Sequence, residues 1–228
     1  MLAAMPTLWK MNGSPPAGAV RILAEILGIQ FDYIDVDFAK MEHKSPEHIK
    51  INPVGTVPVL KDGDFYLTDS HAMLKYLLEK YGTEDQKASF YPKDLETRAL
   101  IDQSMFFDTG VYFIKLKLAA LPALFGNSTG PSPALLDEID AAYSVVEAYL
   151  GRKQYIVTNQ PTLADISLGI TTVSLQPILK LDSKKFPSTA AWLDRLNKIP
   201  AFKKYAGPGF VGDLGDVIHS AWERNKQK

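Results

Sequence analysis

The spacing of apolar residues changes character near residue 93. Before it, short apolar runs alternate with stretches of helical period; beyond it the period is helical throughout. Thr7 to Met11 predicts a short strand, and Asn12-Gly13-Ser14 a turn. Pro15-Pro16 can only open a helix, which Val20, Leu23, Ala24 and Leu27 continue and Gly28 stops. Phe31 to Phe38 predicts a second strand, with Ile34, Val36 and Phe38 alternating on one face. A short helix from Ser45-Pro46-Glu47 ends before Asn52-Pro53, and Val57-Pro58-Val59-Leu60 is the next strand. A turn at Asp62-Gly63 leads to a strand from Phe65 to Thr68, then to a helix from Ser70 to Tyr81.

The order β-α-β-α-β-β-α predicts a four-stranded mixed sheet covered by helices, a thioredoxin-like arrangement over residues 1–82. Polar residues ending in Phe-Tyr-Pro make 83–92 a linker, and residues 93–228 an all-helical second domain; the class is α+β. Lys93 to Leu118 reads as one long helix, and Leu121 to Pro133 as a mobile loop rich in Pro, Gly and Ser. Ala134 to Leu150 is the next helix. Thr162-Leu163-Ala164-Asp165 is a capping pattern before the apolar run Ile166 to Leu175. Pro187 to Asn197 and Ala201 to Tyr205 are further helices, and Gly207-Pro208-Gly209 is a hinge before an amphipathic tail.

Composition narrows the chemistry. Apolar residues at 46% and a net charge of −1 describe a globular chain without the basic patch that nucleic acid requires. No apolar run reaches the ~20 residues of a membrane span. Met1 to Pro6 is too short for a signal peptide, so a cytoplasmic location is expected. The absence of cysteine excludes disulfides, thiolate metal sites and a cysteine nucleophile; any thiol chemistry must use sulfur brought by a ligand. The four histidines have no metal-ligand spacing, and no metal is expected.

The stretch with the most chemistry is Asn52 to Leu60, closed by Thr68-Asp69-Ser70-His71. Pro58 at the start of a strand cannot donate to a ladder. A cis bond there would leave the Val57 amide and carbonyl facing outward, able to pair with an extended peptide. Asp69 or Ser70 caps the next helix, whose free N–H groups suit a carboxylate. Ser14 caps the first helix; beyond that ordinary role, a hydroxyl at a helix N-terminus can donate to a sulfur and favour thiolate.

Thr56-Val57-Pro58-Val59-Leu60 followed by Thr68-Asp69-Ser70-His71-Ala72 resembles the glutathione site of cytosolic glutathione transferases. Ser14-Pro15-Pro16 and Glu42-His43 are most similar to the insect delta and epsilon classes, and the resemblance spans roughly residues 5–205. It implies glutathione as co-substrate, a hydrophobic electrophile as acceptor, and a homodimer. Ser14 inherits the catalytic role; lowering a thiol pKa of about 8.5 by ~1–2 units is a gain of about 1.4–3 kcal/mol. His43, otherwise a surface histidine, inherits the glycine carboxylate. Gly55, Thr56, Val57 and Pro58 form the clamp on the cysteinyl unit. Asp69 faces the γ-glutamyl ammonium, Ser70 holds its carboxylate, and His71 flanks them; an ordinary helix cap explains Asp69-Ser70 equally well.

The resemblance places the acceptor pocket between the domains, near Pro16, with Phe210 closing over it and Leu121 to Phe125 at its mouth. Ser104, Asp108 and Tyr112, four apart, share a helix face beside Phe107 and Val111; they form either the pocket wall or a solvated stripe with core aromatics. Asp108 there would accept a hydrogen bond from a hydroxylated ligand, a sterol included. Two positions depart from epsilon-type sequences: Gly55 replaces a histidine and Ser104 an arginine. They support a rival reading, a weakly catalytic carrier of hydrophobic ligands on the same fold. Glutathione peroxidase activity fits either reading. A protein-interaction module of the kind attached to elongation factors is a further alternative.

Overall fold

The computed structural model describes residues 5–151 and 153–228, so residues 1–4 of the leading segment Met1 to Pro6 lie outside it. The four-stranded sheet has the order β2-β1-β3-β4. Strand β1 (Thr7–Lys10) pairs in parallel with β2 (Asp32–Asp35) and antiparallel with β3 (Val59–Asp62), which pairs antiparallel with β4 (Phe65–Thr68). Helix α1 (Pro15–Leu27) starts at the Ser14 cap and ends at Gly28, whose φ of 73° lets the chain reverse. A 3₁₀ turn at Glu42–Lys44 and a short α2 (Pro46–Ile51) precede β3; α3 (Ser70–Tyr81) follows β4. Leu8, Val20, Leu23, Leu60, Leu74 and Leu77 fill the space between sheet and helices.

The second strand is shorter than its hydrophobic pattern predicts. Strand β1 turns away after Lys10, so beyond the bond from Val36 N–H to Lys10 O nothing is left to pair with. As the sheet edge, β2 leaves Tyr33 and Ile34 exposed, and only Val36 of the expected face is buried.

The stretch expected as a linker holds a helix, α4 (Glu84–Phe90). Thr83 and Gln86 make a reciprocal capping box, the Gln86 amide also donates to Ile26 O, and Phe90 and Tyr91 are buried. The expected long helix runs further than predicted and changes winding midway. Helix α5 (Leu95–Phe107) passes through a π-helical turn at Asp108–Tyr112 into α6 (Phe113–Phe125). Leu116, Ala119, Ala120 and Ala123 give α6 a continuous buried face, which carries the helix past Leu118 and through Pro122. The loop therefore starts at Gly126 and is anchored: Asn225 Nδ2 donates to Ala123 O and Ser128 O.

Helix α7 (Pro133–Leu150) and the central α8 (Leu163–Leu175) follow, then α9 (Pro187–Leu196), α10 (Pro200–Ala206) and α11 (Leu214–Lys226). Nearly every residue of α8 is buried, and its Asp165 holds the start of the helix and the loop before it together. Asp165 accepts from Thr162 N–H and Oγ1, from Ile156 N–H and from Trp192 Nε1. Helix α1 packs on α8 and α10, and α3 reaches α8, so the two halves share one core. Among the described residues no helix is long and apolar enough to cross a membrane.

Candidate active site

The Val57-Pro58 bond is cis. Strand pairing begins only at Val59, opposite Trp9, and among the described residues nothing pairs with the Val57 amide or carbonyl. The loop below is rigidly held. Asn52, fully buried, donates to Thr56 O and Oγ1, and His48 Nε2 lies 2.8 Å from Thr56 O. With the Thr56 carbonyl so occupied, the free hydrogen-bonding edge is that of Val57.

Register brings the second feature alongside. Val59 pairs with Thr68, so Asp69 and Ser70 come next to Pro58. Asp69 has φ 73°, an uncommon conformation for a non-glycine residue and of the kind that collects at functional sites. Its Oδ1 accepts from the amides of His71 and Ala72. The hydrogen bond from His71 lowers the Asp69 pKa despite burial, so the carboxylate is ionised. Neither the amide nor the hydroxyl of Ser70 is bonded within the described chain, which leaves both at the N-terminus of α3 for an incoming carboxylate.

Ser14 is buried at the N-terminus of α1 and accepts only a long 3.4 Å bond from Ala17 N–H; its proton has no partner among the described residues. Met11 and Leu214 flank Gly13 beside it, each about 4 Å from where a Cβ would stand. Asn12 is a structural group, accepting from Lys10 Nζ and Arg21 Nη1. His43 is buried, not on the surface, with its ring stacked 3.9 Å from that of Phe38 and 6.3 Å from Phe125. Burial, then the charges of Lys44 and His48, push its pKa down, and its Nδ1 is buried without a partner.

His71 does not stand free beside a ligand. Its Nε2 lies 3.1 Å from Asp108 Oδ2 and 2.7 Å from Ser167 Oγ, and its Nδ1 2.9 Å from Thr109 Oγ1. Burial lowers its affinity for a proton, but hydrogen bonds and charges from Asp108 and Asp69 outweigh this and raise the pKa to about 9. A protonated His71 thus ties Asp69 of the clamp to the second domain.

The expected acceptor face turns the other way. Ser104 is buried and donates to Leu100 O, Asp108 is buried between His71 and Ser167, and fully buried Tyr112 donates to Thr172 Oγ1. Their common face packs toward α8, whose hydroxyls supply the partners of Asp108 and Tyr112. Asp108 Oδ1 is buried and has no hydrogen-bond partner among the described residues. Phe107 packs on Tyr112 and Tyr149, also inside. Val111 is exposed, but beside Lys115, Glu138 and Ala142 of the α6–α7 groove. Phe210 packs on Tyr205 and on the Arg21 guanidinium, two turns along α1 from Ser14; Leu214 takes the place expected of Phe210. Pro16 stays at the half-buried first turn of α1. Leu121 and Phe125 are exposed on α6, where the sequence places the mouth.

Sequence reasoning missed the supports: Asn52 and His48 beneath the clamp, and Thr109 and Ser167 around His71. Ser167 carried a signal, a hydroxyl inside the apolar run Ile166 to Leu175. Among the described residues no three His, Asp or Glu side chains gather to hold a metal ion.

A cis-proline strand start beside a helix N-terminus lies on a thioredoxin-like sheet joined to an all-helical half. Residues 5–79 match the glutathione S-transferase N-terminal domain model, and 120–200 the C-terminal one. The chain is 37% identical to glutathione S-transferase 1 of Manduca sexta, over 89% of this chain and 93% of that one. It is 34% identical to glutathione S-transferase D6 of Drosophila melanogaster, over 91% and 99%. An epsilon-class glutathione S-transferase of the housefly, Musca domestica, superposes with a TM-score of 0.90 at 34% identity, covering 95% and 98%. A Drosophila mojavensis glutathione transferase homolog, solved with bound glutathione, gives 0.87 at 36%, covering 96% and 97%. The chain belongs to the glutathione S-transferase family and is of the insect delta/epsilon kind.

Proposed function

We propose that this chain conjugates the thiolate of glutathione to hydrophobic electrophiles, and that Ser14 stabilises the thiolate. The observation that carries the reading is the unpaired Val57 edge beside the free Ser70 amide, together with the unused Ser14 proton at the start of α1. The cysteinyl unit pairs with Val57 and the γ-glutamyl carboxylate sits at Ser70, with its ammonium toward Asp69. This brings the sulfur to Ser14, whose Oγ–H donates to it while the helix dipole favours the negative charge. The thiolate attacks the acceptor carbon, a C–S bond forms, and the leaving group departs with its electron pair.

The acceptor lies on the apolar surface beside Ser14, where Met11 and Leu214 flank Gly13. Such a surface selects for hydrophobicity, which suits detoxification of xenobiotics, insecticides among them, or metabolism of an internal lipid. The carrier reading loses its two supports: Ser104 faces away from the cleft, and the space at position 55 is filled by Lys44 and Ile49.

The chain acts as a homodimer in the cytoplasm. Leu95, Leu100 and Phe106 stand exposed on α5, and Phe65 and Tyr66 on the edge strand β4, an apolar supply suited to a two-fold interface. A free thiol co-substrate and a cysteine-free chain fit a reducing compartment. Conjugation of a chlorodinitrobenzene by wild type and Ser14→Ala tests the reading. Activity lost in the variant, with glutathione binding kept, is the expected result; wild-type protein that neither binds glutathione nor conjugates it overturns the proposal.

A further inference from the structure

Arg21 is a buried cation with no carboxylate partner among the described residues. It is 8% exposed, while Asp35 is bound to Lys10 and Glu25 to Lys204. Three rings enclose its guanidinium: Tyr33 of β2 at 5.1 Å, Tyr205 of α10 at 4.5 Å and Phe210 at 4.5 Å from their centroids. Nη1 donates to Asn12 Oδ1 at 3.0 Å, and Nε is buried without a partner among the described residues. Burying a guanidinium with an orphan N–H costs stability, and an apolar side chain would fill the same aromatic cage at less cost. What an apolar side chain could not do is make the bond to Asn12.

That bond ends on the turn that presents Ser14. The turn from Met11 to Ser14 is closed by Ser14 N–H donating to Met11 O at 3.1 Å, and Asn12 is its second residue. Arg21 follows Ser14 by seven residues, nearly two helical turns, so both lie on one face of α1. Helical side chains lean toward the N-terminus, which carries the guanidinium back to Asn12. The turn is therefore held to α1 at two points, by the chain at Ser14 and by Arg21 at Asn12. Lys10 Nζ reaches the same oxygen at 2.8 Å from the end of β1, so one amide oxygen joins strand, turn and helix.

The C-terminal segment seals the arrangement from outside. Phe210 packs on the guanidinium, Val211 lies 2.9 Å from where a Cβ at Gly18 would stand, and Leu214 4.0 Å from that of Gly13. These contacts run back along α1 from Arg21 to the Ser14 turn.

We propose that Arg21 is a positioning residue for the thiol chemistry: through Asn12 it fixes the turn that aims the Ser14 hydroxyl at the sulfur of glutathione. The inference rests on the thiolate reading above. Its part is geometric, and the hydrogen bond to sulfur remains that of Ser14.

The test compares wild type, Arg21→Met, Asn12→Ala and the double variant. The readouts are the thiol pKa of bound glutathione and the pH profile of chlorodinitrobenzene conjugation. Methionine suits the space among the rings, and Asn12 is exposed, so the second single variant carries the test if the first does not fold. Each single variant should raise the bound thiol pKa by about half a unit to one unit, which lowers kcat about three- to tenfold near pH 6.5. The deficit should close by about pH 9.5, where the thiol ionises unaided, and KM for glutathione should stay within about twofold. The double variant should be no worse than Asn12→Ala alone, because the two residues act as one. Variants that lose Tm but keep the wild-type thiol pKa would show that Arg21 serves stability only. A shift in Arg21→Met without one in Asn12→Ala, or additive shifts, would show that the cation acts other than through Asn12; each of these results overturns the inference. If the wild-type complex itself titrates like free glutathione, the thiolate reading fails first, before any variant is made.

Discussion

His71 Nε2 lies 3.1 Å from Asp108 Oδ2, and this contact joins the helix that opens at the clamp to the π-helical turn of the second domain. The same imidazole meets Ser167 on α8 and Thr109 beside Asp108. One side chain thus fixes the first turn of α3 against two elements of the helical half, and with it the Asp69-Ser70 corner.

The His71 contact makes stability depend on pH. Its pKa is raised to about 9 in the folded chain, above an unfolded value near 6.5. Protonation therefore stabilises the fold: the contribution, about 3 kcal/mol, is complete below about pH 6.5 and is lost as pH rises through about 9. The Tm of wild type should fall across that interval. His71→Asn, which cannot be charged, should start lower and lose this step. Parallel wild-type and variant profiles would contradict the assignment.

Gly55→Ala should destabilise the chain by about 2–3 kcal/mol, because the residue would enter a left-handed conformation and press on the His43 carbonyl. Gly55→His should behave no better and should not tighten glutathione binding. Denaturant midpoints and calorimetric titration check both. A stable Gly55→His protein with improved affinity would refute the crowding argument.

Asp165 anchors the start of α8 through four donors and is fully buried. Asp165→Ala leaves the Trp192 indole and the Ile156 and Thr162 amides without an acceptor. A loss of about 3–5 kcal/mol, seen as a large drop in soluble folded protein and in Tm, is expected.

Features set by local chemistry were legible in the sequence. The cis clamp, the caps at Ser14 and Asp69 and the Gly28 stop depend on neighbours a few residues away, and each stands where the sequence puts it. The end of β2 was not, because its length is set by how far β1 runs beside it. Ser104, Asp108 and Tyr112 share a face, as their spacing requires, but spacing does not say which way a face points. That was decided by α8, where Ser167 and Thr172 offer hydroxyl partners. The capping box at Thr83 and Gln86 was present in the sequence and was masked by the polar residues around it. The filled space at Gly55 is a tertiary property, since Lys44 and Ile49 reach it from another loop and helix.

The dimer proposal has its own check. Phe106, 73% exposed on α5, should be covered by a second copy. Phe106→Asp should shift the sedimentation coefficient from dimer to monomer, while the fold, read by circular dichroism, stays unchanged. A wild-type protein that sediments as a monomer at micromolar concentration would contradict the interface.

The central claim is that Ser14 and the α1 N-terminus make glutathione a thiolate at neutral pH. The direct measurement is the ultraviolet absorbance of the bound thiolate, followed as a function of pH on the binary complex of wild type and of Ser14→Ala. The account predicts that the wild-type complex titrates about 1–2 units below the free thiol value near 8.5, and that the variant returns to that value while still binding glutathione. A wild-type complex whose thiol titrates as it does in water, or a variant with the same lowered pKa, would contradict it.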